Sequence, residues 1–141
     1  MENSLHPESV VGTFIVKGTS ILLTRSPKWE SGTLWVVPGG HIEYQESIEE
    51  AVVREVQEEV GILVTFEKVF AVYDAIEPKH FFKKRHFIFL ECVCRYVKNE
   101  LKIDNTEIVE AQWVEKENIF QMPLEPFTRK AIESMIEQGI F

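Results

Sequence analysis

Residues 47–60 (SIEEAVVREVQEEV) constrain the fold of this chain more than any other segment. Ser47 is a good helix N-cap, Glu50 three positions later completes a capping box, and Gly61 suits a left-handed C-cap. At about 100° per residue, Ile48, Ala51, Val52, Val56 and Val60 form one apolar stripe, expected to face a sheet. Glu55, Glu58 and Glu59 fall within a sector of about 100°, two of them inside or beside that stripe. This placement is costly. Like charges one turn apart destabilise a helix by roughly 0.2–0.5 kcal/mol per pair, and a partly buried carboxylate also loses hydration. Arg54 offsets part of the charge; a hard divalent cation such as Mg²⁺, which prefers carboxylate oxygens, would offset the rest. The competing explanation is an ordinary solvated acidic face. Two features weigh against it: the acids share a side with apolar residues, and a Pro38-Gly39-Gly40 turn just upstream can bring backbone close to a ligand.

The rest of the chain is strand-rich. Runs at 9–17, 21–24, 34–37, 41–44, 62–76, 87–97 and 111–114 read as strands, separated by loops at 26–33, 77–86 and 99–106. Pro126 can open a terminal helix running to residue 138. These elements imply an α/β protein of one domain, 1–141, with a mixed sheet packed between helices.

The formal charge of −8 argues against binding a nucleic-acid polymer or an anionic membrane. A small phosphorylated substrate stays compatible, because bound metal inverts the local sign. No apolar run approaches the roughly 20 residues of a membrane span. The opening MENSLHPESV lacks the basic start and apolar core of a secretory signal. Cys92 and Cys94 lie two apart, on one face of a strand, and complete neither a disulfide framework nor a zinc site. They read as buried thiols, which points to the cytoplasm.

From Gly40 to Ile62 the sequence is GHIEYQESIEEAVVREVQEEVGI, which resembles the Nudix box, G-x5-E-x7-R-E-U-x-E-E-x-G-U, with U aliphatic. Gly40, Glu46, Arg54, Glu55, Val56, Glu58, Glu59, Gly61 and Ile62 fill every specified position. The strand at 10–25, the Trp35-to-Gly40 approach and Ala111-Gln112-Trp113-Val114 are also similar to MutT-like members. The resemblance implies a Nudix-type α/β/α sandwich with a central mixed sheet, and Mg²⁺- or Mn²⁺-dependent hydrolysis of a nucleoside diphosphate linked to another group. It implies that Glu58 and Glu59 hold metal, that Glu55 is a ligand or general base, and that the Gly39 carbonyl is a further ligand. Arg54 would orient Glu55, and Glu46 would support the helix start. A further metal acid is expected in a loop before Trp113, with Glu107 the first choice and Glu110 the second. Position 45, often Gly in the family, is Gln45 here.

The substrate is less legible. The resemblance has Arg25 contact a substrate phosphate, with a surface arginine as the alternative. Trp29, Trp35, Phe81 and Phe82 could stack on a base or serve packing. The basic and aromatic run 79–86 could grip phosphates, or protect a strand edge by charge. His41 and His80 receive no role. A nucleoside triphosphate, released as monophosphate plus pyrophosphate, is the first expectation, from the short chain and Leu124-Glu125-Pro126. Leu124 stands where guanine-reading members place Asn and cannot form their hydrogen bonds, which disfavours an oxidised guanine. ADP-ribose or a nucleotide sugar is the alternative, with Pro78 as a faint marker. A non-catalytic nucleotide-binding module of the same fold is a third possibility, set against the completeness of the acidic box. A homodimer is plausible by base rate.

Overall fold

The computed structural model describes residues 6–141; the first five, on which part of the reading of the N-terminus rests, lie outside the described residues. In chain order the elements are β1 (Glu8–Lys17), β2 (Ser20–Arg25), β3 (Trp35–Val36), β4 (Gly39–His41), α1 (Ile48–Val60), β5 (Leu63–Ile76), β6 (His86–Lys98), β7 (Glu110–Glu115) and α2 (Pro126–Glu137). The seven strands form one sheet along the path β3-β2-β1-β6-β5, with β7 joined to β2 and β4 joined to β1. β1 and β6 run parallel, from Glu8 opposite Phe87 to Val16 opposite Arg95, while the other pairings are antiparallel. The sheet is therefore mixed.

Strand alternation gives this sheet two apolar faces. On one, Val11, Ile15, Leu22, Cys92 and Cys94 pack under α1, whose Ala51, Val52, Val56 and Val60 are fully buried. On the other, Phe14, Ile21, Leu23 and Val93 meet Ala131, Ile132 and Met135 of α2. Each buried aliphatic side chain contributes about 1.5–3 kcal/mol relative to exposure, so both helices are held mainly by their stripes. The result is an α/β/α sandwich. Both cysteines are free and buried. Among the described residues, no helix is long and apolar enough to cross a membrane.

The ends of α1 follow the sequence signals. The Ser47 hydroxyl accepts the Glu50 N–H at 3.0 Å, and the Glu50 carboxylate accepts the Ser47 N–H at 2.9 Å. Gly61 closes the helix at φ 74°. Gln45, in the turn before α1, takes φ 66°, a left-handed conformation that glycine adopts without cost.

One local expectation needs correction. The strand expected at 41–44 is β4, Gly39–His41. Its glycines lie against β1 so closely that a Cβ on Gly39 would stand 2.1 Å from the Val11 carbonyl oxygen. The turn residues expected to end the preceding strand thus begin a new one. The loop at 26–33 contains a 3₁₀ turn, Glu30–Gly32, and a second, Lys116–Gln121, follows β7. Neither has the apolar period of a longer helix.

Removing the Ser47 cap should lower stability without touching the interior. Ser47→Ala is expected to cost roughly 1 kcal/mol, about 3–5 °C in Tm, measured by thermal melting. An unchanged Tm would mean that the capping box does not hold the start of α1.

Candidate active site

The apolar stripe of α1 carries two of its acids toward the sheet. Glu59 is 4% exposed, and the Glu55 side chain 12%. Glu58, one step round the helix, stays 60% exposed. Burial raises the Glu55 pKa. Burial, with the neighbouring Glu55 charge, pushes Glu59 up to about 9. The two carboxyls lie close enough for a protonated Glu59 to hydrogen-bond Glu55. Glu59 Oε1 also accepts the Gly39 N–H at 3.2 Å. β4 passes directly over this pair: a Cβ on Gly40 would stand 2.3 Å from Glu55 Oε2.

Arg54 is the cation that organises the cluster. Its Nη1 donates to Glu55 Oε2 at 3.0 Å and to Glu58 Oε1 at 3.2 Å. Its Nε and Nη2 grip Glu46 at 2.6 and 2.9 Å, and Nη2 also reaches the His41 carbonyl at 3.0 Å. The hydrogen bond from Arg54, assisted by the Glu43 N–H, holds Glu46 down to about 2. Glu46 in turn raises the Arg54 pKa further. One guanidinium thus links the turn before α1, β4 and the helix itself.

Next to this cluster opens a cleft of about 510 Å³. Gly39, Gly40, Glu55, Glu58, Glu59 and Glu107 line its acidic end. Glu107 comes from the loop before β7, where Lys28 Nζ meets it at 3.1 Å. The chain therefore brings Arg54, Glu55, Glu58, Glu59, Gly39 and Glu107 to one place. Arg25, Glu46 and Glu110 do not line the cleft. Arg25 donates through Nε to Glu110 Oε1 at 2.9 Å and through Nη1 to the Gly32 carbonyl at 2.7 Å.

The far end of the cleft lies on the α2 side of the sheet. There Trp29, Phe81, Phe87, Phe89 and Phe127 form the walls. Trp29 and Phe81 pack with ring centroids 4.8 Å apart, and Phe87 stacks on Phe89 at 5.5 Å. Of the other two aromatics weighed for stacking or packing, Trp35 is core and Phe82 is solvent-exposed. Two acids sit among these rings. Glu125, the α2 N-cap, accepts the Phe127 and Thr128 N–H groups at 3.0 and 2.9 Å and the Thr128 hydroxyl at 3.0 Å. Glu91, 4% exposed on β6, is pushed up to about 8 by burial and by Glu125. Sequence reasoning passed over both, although the alternation Phe87-x-Phe89-x-Glu91 puts that acid on the aromatic face. His41 pairs with Glu8 at 2.7 Å and His80 with Glu30 at 2.6 Å.

Among the described residues, no group of three or more acidic, histidine or cysteine side chains stands in a formed metal-binding arrangement. The donor set nonetheless fits a hard cation: carboxylate oxygens around a side-chain-free Gly39-Gly40 cradle, with two buried acids that cannot both ionise cheaply on their own.

Comparison with known proteins identifies the family. The NUDIX domain family model matches residues 6–135. The chain is 33% identical over 140 residues to an NAD-capped RNA hydrolase, NudC, of Vibrio vulnificus, covering 97% of this chain and 49% of the relative. It is 30% identical over 115 residues to an ADP-ribose pyrophosphatase of Methanocaldococcus jannaschii, covering 82% and 66%. The chain thus spans about half to two-thirds of the length of these curated relatives. Its structure is similar to that of a MutT protein from Methanosarcina mazei, with TM-score 0.79, 26% identity, and coverage of 96% and 97%.

Glu91 supplies a pH test. Its carboxyl rises from an ordinary 4.5 to about 8 in the fold, facing Glu125 from α2 and Tyr73 from β5. Stability from this group is full below pH 4.5 and is lost as the pH rises through 8. The Tm of the native chain should therefore fall relative to Glu91→Gln across that window, then run level with it. Parallel Tm curves from thermal melts would show that Glu91 does not titrate as its burial demands.

Proposed function

Because this chain belongs to the NUDIX domain family, hydrolases that act on phosphoric anhydride bonds, we propose that it cleaves the diphosphate of a nucleoside diphosphate linked to another group. The observation that carries this reading is the convergence of Glu55, Glu58, Glu59 and the Gly39-Gly40 backbone at one end of a nucleotide-sized cleft. Divalent metal is general in the family. Mg²⁺ or Mn²⁺ would be held here by Glu55, Glu58 and Glu59, with the Gly39 carbonyl and Glu107 as further ligands. When bound, it neutralises charge on the phosphate oxygens.

The residues divide the remaining work. Glu55 takes a proton from the attacking water, whose oxygen forms the new P–O bond as the anhydride P–O bond breaks. Arg54 fixes the Glu55 carboxylate through its 3.0 Å contact, and Glu46 fixes Arg54. Arg25 is engaged with Glu110 and Gly32 and acts here as a support for the loop after β2 rather than as a phosphate contact.

For the substrate, the names of the two curated relatives favour a diphosphate-linked adenine compound, of the ADP-ribose or dinucleotide type, over the triphosphate first expected. The likeness to a MutT structure keeps the triphosphate as the second reading. Two buried free cysteines suit a reducing compartment such as the cytoplasm.

The test is product release from a nucleotide panel containing ADP-ribose and the common triphosphates, with and without Mg²⁺. Glu55→Gln should lower kcat by roughly 10²–10⁴. Near-full turnover in that variant on every compound the native chain cleaves would refute its role. Tight nucleotide binding with no turnover would favour a binding module. Bound metal should also raise the Tm, by about 2.7 kcal/mol of added stability at 100 times Kd. No shift with either ion at millimolar concentration would count against the acidic end as a metal site.

A further inference from the structure

The cleft is lined by many acids, yet a diphosphate is an anion, so the cations on its wall decide where that anion can sit. Among the described residues, the arginine and lysine side chains lining the cleft are Arg54 and Lys28. Arg54 is committed. Its three nitrogens make five hydrogen bonds, to Glu46, Glu55, Glu58 and the His41 carbonyl, and a guanidinium has five N–H donors to give. Lys28 is not committed. Among the described residues its Nζ makes one hydrogen bond, to Glu107 Oε1 at 3.1 Å, while an ammonium carries three donors.

Both partners of this pair stand on anchored backbone. The Lys28 N–H donates to the hydroxyl of buried Ser26 at 3.2 Å, and its carbonyl accepts the Phe82 N–H at 2.9 Å. On the other side, Asp104 accepts the Thr106 and Ile108 N–H groups at 3.2 and 2.9 Å, which brackets Glu107. The Glu107 charge acts on Glu59, so the two carboxyls share the acidic end. Lys28 therefore stands one carboxylate away from the acids of α1. The pair itself is about half exposed on each side. Such a contact shifts a binding equilibrium by roughly fivefold at most, so a doubly charged hard cation can compete for the same oxygens.

We propose that the Lys28–Glu107 ion pair is the resting half of an exchange: Glu107 gives up Lys28 when it turns to a divalent cation, and the released ammonium binds the diphosphate of the substrate. Lys28 is then a phosphate-binding residue that Glu107 holds in check until metal is present. The inference rests on the metal-dependent reading given above for the same cleft, and adds to it a residue and an order, metal before phosphate.

Calorimetric titrations with Mn²⁺, and with adenosine α,β-methylene diphosphate, test it without turnover, because the carbon bridge of that nucleotide resists hydrolysis. In the native chain the nucleotide should bind more tightly once Mn²⁺ is present. Lys28→Met removes the competing cation and should bind Mn²⁺ roughly two- to fivefold more tightly. The same variant should bind the nucleotide in Mn²⁺ roughly tenfold more weakly. Lys28→Arg should stay close to the native chain in both titrations. The decisive readout is the cycle with Glu107→Gln. In that background Lys28→Met should no longer improve Mn²⁺ binding. A gain that persists there would show only the general field of a nearby lysine and would overturn the exchange. Unchanged or weaker Mn²⁺ binding in Lys28→Met, or unchanged nucleotide binding, would also overturn it. If the native chain hydrolyses a nucleotide while Lys28→Met binds both ligands as the native chain does, this inference alone falls. If the exchange is seen in a chain that hydrolyses no nucleotide, the inference stands and the enzymatic reading falls. A native chain that takes up neither Mn²⁺ nor the nucleotide would overturn both.

Discussion

The acidic end of the cleft depends on carboxylates held where an apolar helix face meets a sheet. The stripe of α1 commits the helix to one rotation, and that rotation carries Glu55 and Glu59 inward with Ala51, Val52 and Val56. Burying such groups is unfavourable without a counter-charge or a shared proton. Arg54 supplies one positive charge and spreads it over Glu46, Glu55 and Glu58. The remainder shows as the upward displacement of Glu59. Packing energy from the hydrophobic stripe thus maintains an electrostatic arrangement that the helix alone would avoid, and that arrangement is suited to a cation and a phosphate.

The same sheet serves both ends of the cleft because its two faces do different jobs. Residues of β1 and β6 alternate: Val11 and Cys92 support α1, while Val10, Phe87 and Phe89 build the aromatic pocket on the opposite side. Gly12 and Gly39, paired across β1 and β4, are thin points in the layer. One leaves space for the Glu91 carboxyl, and the other allows β4 to lie against β1.

Much of the acidic end was readable in the sequence because it is local. The caps, the stripe and the three glutamates of α1 sit within one helix, where spacing translates directly into direction. The box resemblance added Gly39, and spacing brought Glu107 forward. What stayed hidden was long-range. Arg25 reads as a free cation at a strand end, and its pairing with Glu110 appears only once β2 and β7 are side by side. Glu91 and Glu125 lie 34 positions apart in the sequence and meet only because α2 folds back across β6. β4 was displaced for a related reason. Two glycines carry a turn signal in one dimension, and only proximity to Val11 shows that their lack of side chains serves close strand pairing.

The parallel register of β1 and β6 has a kinetic consequence. Glu8 must find Phe87, about 80 positions downstream, before the middle of the sheet exists. Loop-closure entropy is paid before those contacts give any return, and topologies of this kind form slowly. During synthesis the β1–β2 hairpin and the capped helix can form early, yet both expose apolar faces until β6 leaves the ribosome. Until those two strands meet, the apolar faces of β1 and α1 stay open to solvent and to other chains.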